Sequence, residues 1–198
     1  MKKILIKTKS GFTIIEIMVS ISVFLVVVMA GMTALLNANL LSQKSRDMRS
    51  IMDSLNFAME DMSRNIRTGY DYHCFSYSGS LPSGVQSPQN CGGSGANAIS
   101  FKPQDFTTNP LIYYFYTNPN DSTQYSLFKV ANGSSPVQIT PNNILLNHQG
   151  SFIVTGAVPG DGLQPHVTIK LSGSITYNKV SSPFSLQTSV SQRLLDNK

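Results

Sequence analysis

The chain has 198 residues, enough for one domain with an appendage, and it carries a formal charge of +5. Most of this charge lies in residues 1–11, because without their four lysines the balance is 11 basic to 10 acidic residues. This distribution argues against a specific nucleic-acid partner, since a phosphate-binding patch would have to be built from scattered lysines. The scattered lysines of the later chain include Lys102, Lys129, Lys170 and Lys179.

A basic leader and a long apolar segment open the chain. The leader charges are Lys2, Lys3, Lys7 and Lys9. Residues 17–36 then form a run of 20 residues without a charge. At a rise of ~1.5 Å per residue, a helix of this length crosses a hydrocarbon layer of ~30 Å. Positive charge beside a first span stays on the cytoplasmic side, so we expect the bulk of the chain outside the cytoplasm.

Three interpretations fit such an N-terminus, and two of them leave residues unexplained. A cleaved secretory signal would use the small-residue site at 28–30, but Glu16 intrudes on its apolar region and apolar residues continue to Leu36. A plain membrane anchor accounts for the length but gives no role to Gly11 or Glu16. A carboxylate at the mouth of a membrane span is costly, so its presence needs a reason.

The third interpretation rests on residues 11–16, which read GFTIIE behind the short basic leader. This stretch resembles the class III signal of type IV pilins and type II secretion pseudopilins. The resemblance implies that a prepilin peptidase cuts after Gly11 on the cytoplasmic side and that Phe12 becomes an N-methylated terminus. The apolar helix would be kept, first in the bacterial inner membrane and then in a periplasmic or extracellular filament.

The resemblance also implies the partners of the chain. These are other pilin or pseudopilin subunits packed helix to helix, the prepilin peptidase and methyltransferase, the inner-membrane assembly platform, and the lipid bilayer before assembly. Glu16 is then predicted to be the assembly charge, which pairs with the N-terminal ammonium of a neighbouring subunit. A mispaired charge in an apolar bundle costs far more free energy than in water, so such a pair can fix the axial register of neighbouring subunit helices. The alternative is a snorkelling glutamate without a partner.

The helix is predicted to continue beyond the membrane segment, with residues 12–41 hydrophobic and residues 42–69 amphipathic. No proline interrupts 12–68, and Gly69 is a suitable residue directly after a helix. Apolar residues spaced three or four apart predict one buried stripe on the second half. The stripe consists of Met48, Ile51, Met52, Leu55, Met59, Met62 and Ile66.

Cys74 and Cys91 are the two cysteines of the chain, and both follow the apolar segment. In an oxidising compartment, a bridge between them closes a loop of about 17 residues and contributes roughly 3 kcal/mol. The segment between them is polar and rich in Gly, Pro and Ser, so it is poorly suited to hold itself by packing. We therefore expect a disulfide, and two free buried thiols are the alternative.

Residues 70–198 are predicted to form a β-rich globular domain that begins with a loop over 70–97. Strand signals follow at 98–102, 111–117, 124–130, 137–140, 143–146, 151–155, 166–177 and 184–193. The last two alternate apolar and polar residues, which indicates an antiparallel sheet with one buried face. The predicted fold class is α+β and pilin-like. A long N-terminal helix spans the membrane with its first half and packs with its second half on an antiparallel sheet.

No catalytic residue, metal site or cofactor is predicted. His73, His148 and His166 are isolated in sequence, and no zinc or calcium spacing occurs. The chain is therefore not expected to be an enzyme, and a structural role is predicted.

The length near 200 and the segments 59–67 and 184–193 resemble the J/W-type minor subunits, which lie at a filament tip and prime assembly. The predicted function is thus a minor subunit of a type IV pilus or a type II secretion pseudopilus. The alternative is an adhesin or a DNA-uptake pilin of competence systems, which binds an external ligand through the globular domain. The run Tyr113, Tyr114, Phe115 and Tyr116 offers contacts for such a role, but strand alternation predicts half of it inside.

Overall fold

The structure is a computed structural model, and it contains one helix and ten strands in the part of the chain that it describes. The described residues are 11–82, 84, 86–104, 109–119, 121–141, 144–146, 148–177 and 180–193. The leader positions 1–10, predicted strand residue 143 and Lys179 lie outside them. The chain divides into two compact units, Met1–Asp47 and Met48–Lys198.

Helix α1 runs from Ile14 to Thr68 as 55 continuous residues, which confirms the long helix predicted from the absence of proline. At its end, the backbone N–H of Gly69 donates to the carbonyls of Asn65 and Ile66 at 3.0 and 3.1 Å. Arg67 in the last turn places a positive charge at the negative end of the helix.

Gly69 directly follows the helix as predicted, but its need for glycine has another cause. The left-handed φ near this helix end belongs to Asp71 (φ 55°), and Gly69 does not adopt one. Instead, a Cβ atom at position 69 would overlap the ring atoms Cδ2 and Cε2 of Phe101. The glycine therefore allows the aromatic ring to lie directly against the chain as it leaves the helix.

We expect Gly69→Ala to lower the free energy of unfolding of the globular unit by about 1–3 kcal/mol, because the added methyl group overpacks the Phe101 contact. Gly92→Ala is the matched control, since a Cβ atom there meets nothing within 4 Å and the φ angle is not left-handed. Urea unfolding of both variants and the wild-type chain measures the difference. Equal stability of the two alanine variants would contradict this explanation of Gly69.

The ten strands form two five-stranded sheets, and every strand pairing described is antiparallel. Sheet A has the order β1-β3-β4-β5-β6, and sheet B has the order β10-β9-β8-β2 with β7 beside β9. The strands are β1 Tyr70–Phe75, β2 Cys91–Ala96, β3 Ala98–Lys102, β4 Leu111–Asn118, β5 Asp121–Val130, β6 Val137–Gln138, β7 Ile144–Leu145, β8 Ser151–Thr155, β9 His166–Tyr177 and β10 Val180–Ser191. The α+β class with antiparallel pairing is confirmed, but the strands form two sheets where one was expected.

The prediction of a loop over 70–97 is wrong in part, because strands β1 and β2 lie within this range. Strand β1 pairs with β3 and buries Tyr72 and Cys74 on its inner face. Strand β2 reads CGGSGA, so it carries almost no apolar pattern by which a strand can be predicted. It is held instead by pairing with β8, where Gly95 lies directly against the carbonyl of Phe152.

One main core joins the second half of α1 to both sheets. The predicted stripe is confirmed: five of its members are buried in this core, and Met48 and Met52 pack against it partly buried. The five buried members are Ile51, Leu55, Met59, Met62 and Ile66. A second, smaller cluster covers the other face of sheet A. It contains Ala98, Ile112, Tyr114, Phe128 and Val130.

Candidate functional site: the start of the apolar helix

A threonine caps the start of α1. The side-chain Oγ1 of Thr13 accepts a hydrogen bond from the backbone N–H of Glu16 at 3.4 Å, and its carbonyl accepts one from Ile17 at 3.2 Å. The first of these bonds satisfies an N–H group that has no partner inside the helix. Thr13 was not among the residues predicted from the sequence, although the spacing Thr-x-x-Glu before an apolar run is the signal of a capping box.

Glu16 lies in the first turn of the helix, where a negative charge interacts favourably with the positive helix end. Among the described residues, the ion pairs involve other carboxylates, namely Glu60, Asp61 and Asp71. The structure therefore brings Thr13 and Glu16 together at the helix start, and among the described residues no cation pairs with the Glu16 carboxylate.

The first half of the helix exposes its whole apolar surface. Every residue from 11 to 43 is exposed, and Phe12 and Ile14 are 78% and 81% exposed. By length and composition, this segment is suited to cross a membrane. Such a continuous apolar surface needs a cover of lipid or of other apolar helices.

Three hydroxyl groups in this segment are satisfied within the helix itself. Ser20 donates to the carbonyl of Glu16 at 2.7 Å, Ser22 donates to Val19 at 2.8 Å, and Thr33 donates to Met29 at 2.9 Å. Hydroxyls bonded to preceding carbonyls can enter an apolar environment without a partner on another chain. Glu16 is thus the one side chain between 14 and 41 whose charge calls for a partner.

In the globular unit, a polar network joins the second half of α1 to sheet A. One oxygen of Asp61, Oδ2, accepts hydrogen bonds from Tyr113 Oη and Lys129 Nζ, each at 2.8 Å. The other oxygen, Oδ1, accepts one from Asn65 Nδ2 at 3.0 Å. Asn65 also donates to Tyr113 Oη at 2.8 Å, so both helix residues hold the same tyrosine.

Burial raises the pKa of the Asp61 carboxyl, but its bonds to Lys129, Tyr113 and Asn65 outweigh burial and leave that pKa below its ordinary value. Burial and the nearby carboxylate raise the pKa of Tyr113, which keeps its hydroxyl a neutral donor. The network is therefore an ionised carboxylate held by three donors.

We expect Asp61→Asn to lower the free energy of unfolding at pH 7 by about 1 kcal/mol, since the ion pair is partly exposed. Because the folded pKa of Asp61 is depressed, its stabilisation is present above the unfolded pKa and is lost as pH falls through the folded one. Urea unfolding at pH 7 and pH 3 should show that the free energy of unfolding falls less between these pH values for the variant than for the wild-type chain. Glu60→Gln is the control, because its ion pair with Arg64 is exposed. Identical pH profiles of Asp61→Asn and wild type would contradict this role.

Two of the scattered lysines lie in ion pairs within the globular unit. Lys102 pairs with Asp71 at 2.6 Å, and Lys129 pairs with Asp61 at 2.8 Å. Lys170 is exposed on β9. The four lysines considered for a phosphate-binding patch therefore include two whose charge is already engaged.

A disulfide joins Cys74 to Cys91, with their Cα atoms 5.8 Å apart. The predicted bridge is thus present in the structure. It connects β1 of sheet A with β2 of sheet B, and Cys74 is buried. The glycine-rich β2 is thereby tied to the opposite sheet.

The aromatic run on β4 is mostly core. Tyr113 and Phe115 are buried in the main core, Tyr114 is buried in the second cluster, and Tyr116 is partly buried. Three of the four are buried where alternation predicted two, because sheet A packs on both faces. Within the described residues, no group of three or more His, Cys, Asp or Glu side chains is placed to hold a metal ion.

Residues 6–32 match the family model of the prokaryotic N-terminal methylation motif. This motif is the signature of type IV pilins and pseudopilins, so the predicted resemblance is confirmed, without a subtype. It supports a pilin-like or pseudopilin precursor, implies processing by a prepilin peptidase and assembly with other subunits, and suggests inner-membrane anchoring. No curated protein and no solved structure matches the chain.

Proposed function

We propose that this chain is a structural subunit of a type IV pilus or a type II secretion pseudopilus, built into the filament through its N-terminal helix. The observation that carries the proposal is a methylation motif that runs into an apolar helix segment with every residue exposed. Lipid covers this surface before assembly, and the helices of other subunits cover it afterwards.

Maturation proceeds by cleavage between Gly11 and Phe12 on the cytoplasmic side, followed by N-methylation of Phe12. The hydrogen bonds that cap the helix run from Glu16 and Ile17 to Thr13, so both lie on the retained side of the cut. The helix start therefore stays intact when the leader is removed. The four leader lysines hold the N-terminus in the cytoplasm until then.

Glu16 directs assembly by pairing with the cationic N-terminus of a neighbouring subunit. The carboxylate lies in the first helix turn and is exposed. Among apolar helices, an ion pair is much stronger than in water, and a subunit in the wrong register leaves a charge unpaired. The pair thus favours one axial position of each subunit.

A minor role at the tip, where the subunit primes assembly, is the more specific proposal. Its support is the resemblance of 59–67 and 184–193 to J/W-type subunits. Ligand binding by the globular domain, as in an adhesin or a DNA-uptake pilin, has weaker support, because Tyr113, Tyr114 and Phe115 are buried.

Filament fractionation tests the proposed function. The chain is expressed in a bacterium that has a matching filament system, with and without its prepilin peptidase. With the peptidase, we expect the chain in sheared filaments or bound to other pilin subunits, and without it only in the inner membrane. Recovery in the membrane alone under both conditions would contradict a filament subunit.

A further inference from the structure

Strand β10 is an edge strand with one side unpaired. It pairs with β9 in a continuous register from Val180↔Tyr177 to Ser191↔His166 without a bulge. In the part of the chain that the structure describes, no other strand pairs with it. The strand is 12 residues long, and its side away from β9 has no partner strand among the described residues.

The backbone bonds at the end of β10 identify the groups on the free side. The N–H of Gln192 donates to the carbonyl of Pro165 at 3.0 Å, on the β9 side. The N–H of Arg193 donates in the other direction, to the carbonyl of Arg67 in α1 at 2.8 Å. Because these directions alternate along an antiparallel strand, Ser185, Gln187 and Ser189 direct their N–H and C=O groups to the free side.

This edge lacks most of the features that protect natural edges. Proteins block free edges with charged side chains, proline, bulges or a covering element. Pro183 blocks one end of β10 and α1 covers the other, but residues 184–191 between them contain no charged side chain. Ser185, Gln187 and Ser189 are exposed residues, and among the described residues no backbone hydrogen bond reaches their free side.

A groove between α1 and the end of β10 adds positive charge to this edge. Its lining includes Arg64, Arg67 and Arg193 together with Ser189. Arg64 forms an exposed pair with Glu60 at 3.2 Å, whereas the other two arginines take part in none of the ion pairs found among the described residues. The end of the free edge is therefore suited to a carboxylate.

We propose that the free edge of β10 accepts an extended, acidic segment of another protein as an added strand of sheet B. Backbone hydrogen bonds to positions 185, 187 and 189 hold the segment, and a carboxylate of the segment binds Arg67 and Arg193. A second copy of this chain fits less well, because β10 itself has no carboxylate to offer. A nucleic acid supplies phosphates for the arginines but leaves the strand amides unused.

Hydrogen exchange on the full chain in detergent micelles tests the proposal without a variant. The probes are two synthetic peptides, Glu-Glu-Thr-Val-Thr-Val-Thr-Val and the reverse order, because the direction of the added strand is open. With one of them, the amides of Ser185, Gln187 and Ser189 should exchange at least about tenfold more slowly. Unchanged exchange at these amides with both peptides would overturn the proposal. So would protection produced only by a second copy of the chain or by duplex DNA.

A matched pair of variants at one position separates backbone from side-chain effects. Gln187→Pro removes the N–H on the free side, and Gln187→Ala keeps it. We expect the first to weaken peptide binding by about tenfold or more and the second by less than about twofold. The double variant Arg67→Glu/Arg193→Glu should lose the acidic peptide and bind one with lysines in place of its glutamates. Equal binding by the proline and alanine variants, or by the double variant and wild type, would contradict this mode.

Discussion

Glu16→Ala is expected to leave membrane insertion unchanged and to exclude the subunit from the filament. Insertion depends on the apolar run 17–36, which the substitution does not touch. On the proposed pairing with the N-terminus of a neighbouring subunit, assembly loses one partner of an ion pair enclosed by apolar helices, which costs about 3–5 kcal/mol. The equilibrium for subunit addition should therefore weaken by a factor of about 100 or more.

Membrane and filament fractions of the variant, expressed alone and beside the wild-type chain, measure this effect. Glu16→Gln keeps the shape of the side chain without its charge, so it should be excluded from the filament as strongly as Glu16→Ala. Ser20→Ala is the control, because its hydroxyl bonds only to the carbonyl of Glu16 one turn earlier. If Glu16→Ala subunits enter filaments as well as Ser20→Ala subunits, Glu16 is not the assembly charge.

Removal of the disulfide has the largest expected effect on the globular unit. Cys74→Ala/Cys91→Ala should lower the free energy of unfolding by about 3 kcal/mol, the value for a closed loop of roughly this length. For a domain of this size, the melting temperature should fall by about 6–12 °C. The physical reason is that the bridge restricts the conformations of the unfolded chain. In the folded state it also ties β2, whose glycines offer little side-chain packing, to β1.

Thermal unfolding with and without a thiol reductant provides the measurement. Reduced wild-type protein should melt close to the double variant, and the reductant should not affect the variant. Equal melting temperatures of the oxidised wild-type chain and the double variant would show that the bridge does not stabilise the fold. This stability dependence also fits a domain that folds in an oxidising compartment.

Features that repeat locally in the sequence were predictable. A short stretch of sequence is enough to recognise a pattern with a fixed period. This applies to the apolar run, to the helix stripe with Leu55 and Met62, and to the alternation of β9. The signal at 11–16 and the cysteine pair were likewise recognisable from residue type and position. Strand β2 escaped prediction because its glycines carry no pattern.

Features that depend on distant residues were not predictable from one sequence. Asp61 reads as a solvent-facing helix residue, yet it binds Tyr113 and Lys129, which are 52 and 68 positions away. Gly69 reads as a helix cap, yet Phe101 determines its identity. The division of the strands into two sheets has the same origin, since β2 pairs with β8 and not with its neighbours in sequence.

Mass spectrometry of the mature N-terminus shows directly whether a prepilin peptidase processes this chain between Gly11 and Phe12. The chain is expressed with and without a prepilin peptidase, together with the variant Gly11→Val, at whose position an added Cβ atom meets nothing within 4 Å. With the peptidase, the wild-type chain should begin at Phe12 and carry one added methyl group on its amine. The Gly11→Val chain, and the wild-type chain without the peptidase, should keep the leader. A wild-type N-terminus generated after residue 30, or an uncut leader in the presence of the peptidase, would rule out prepilin processing of this chain.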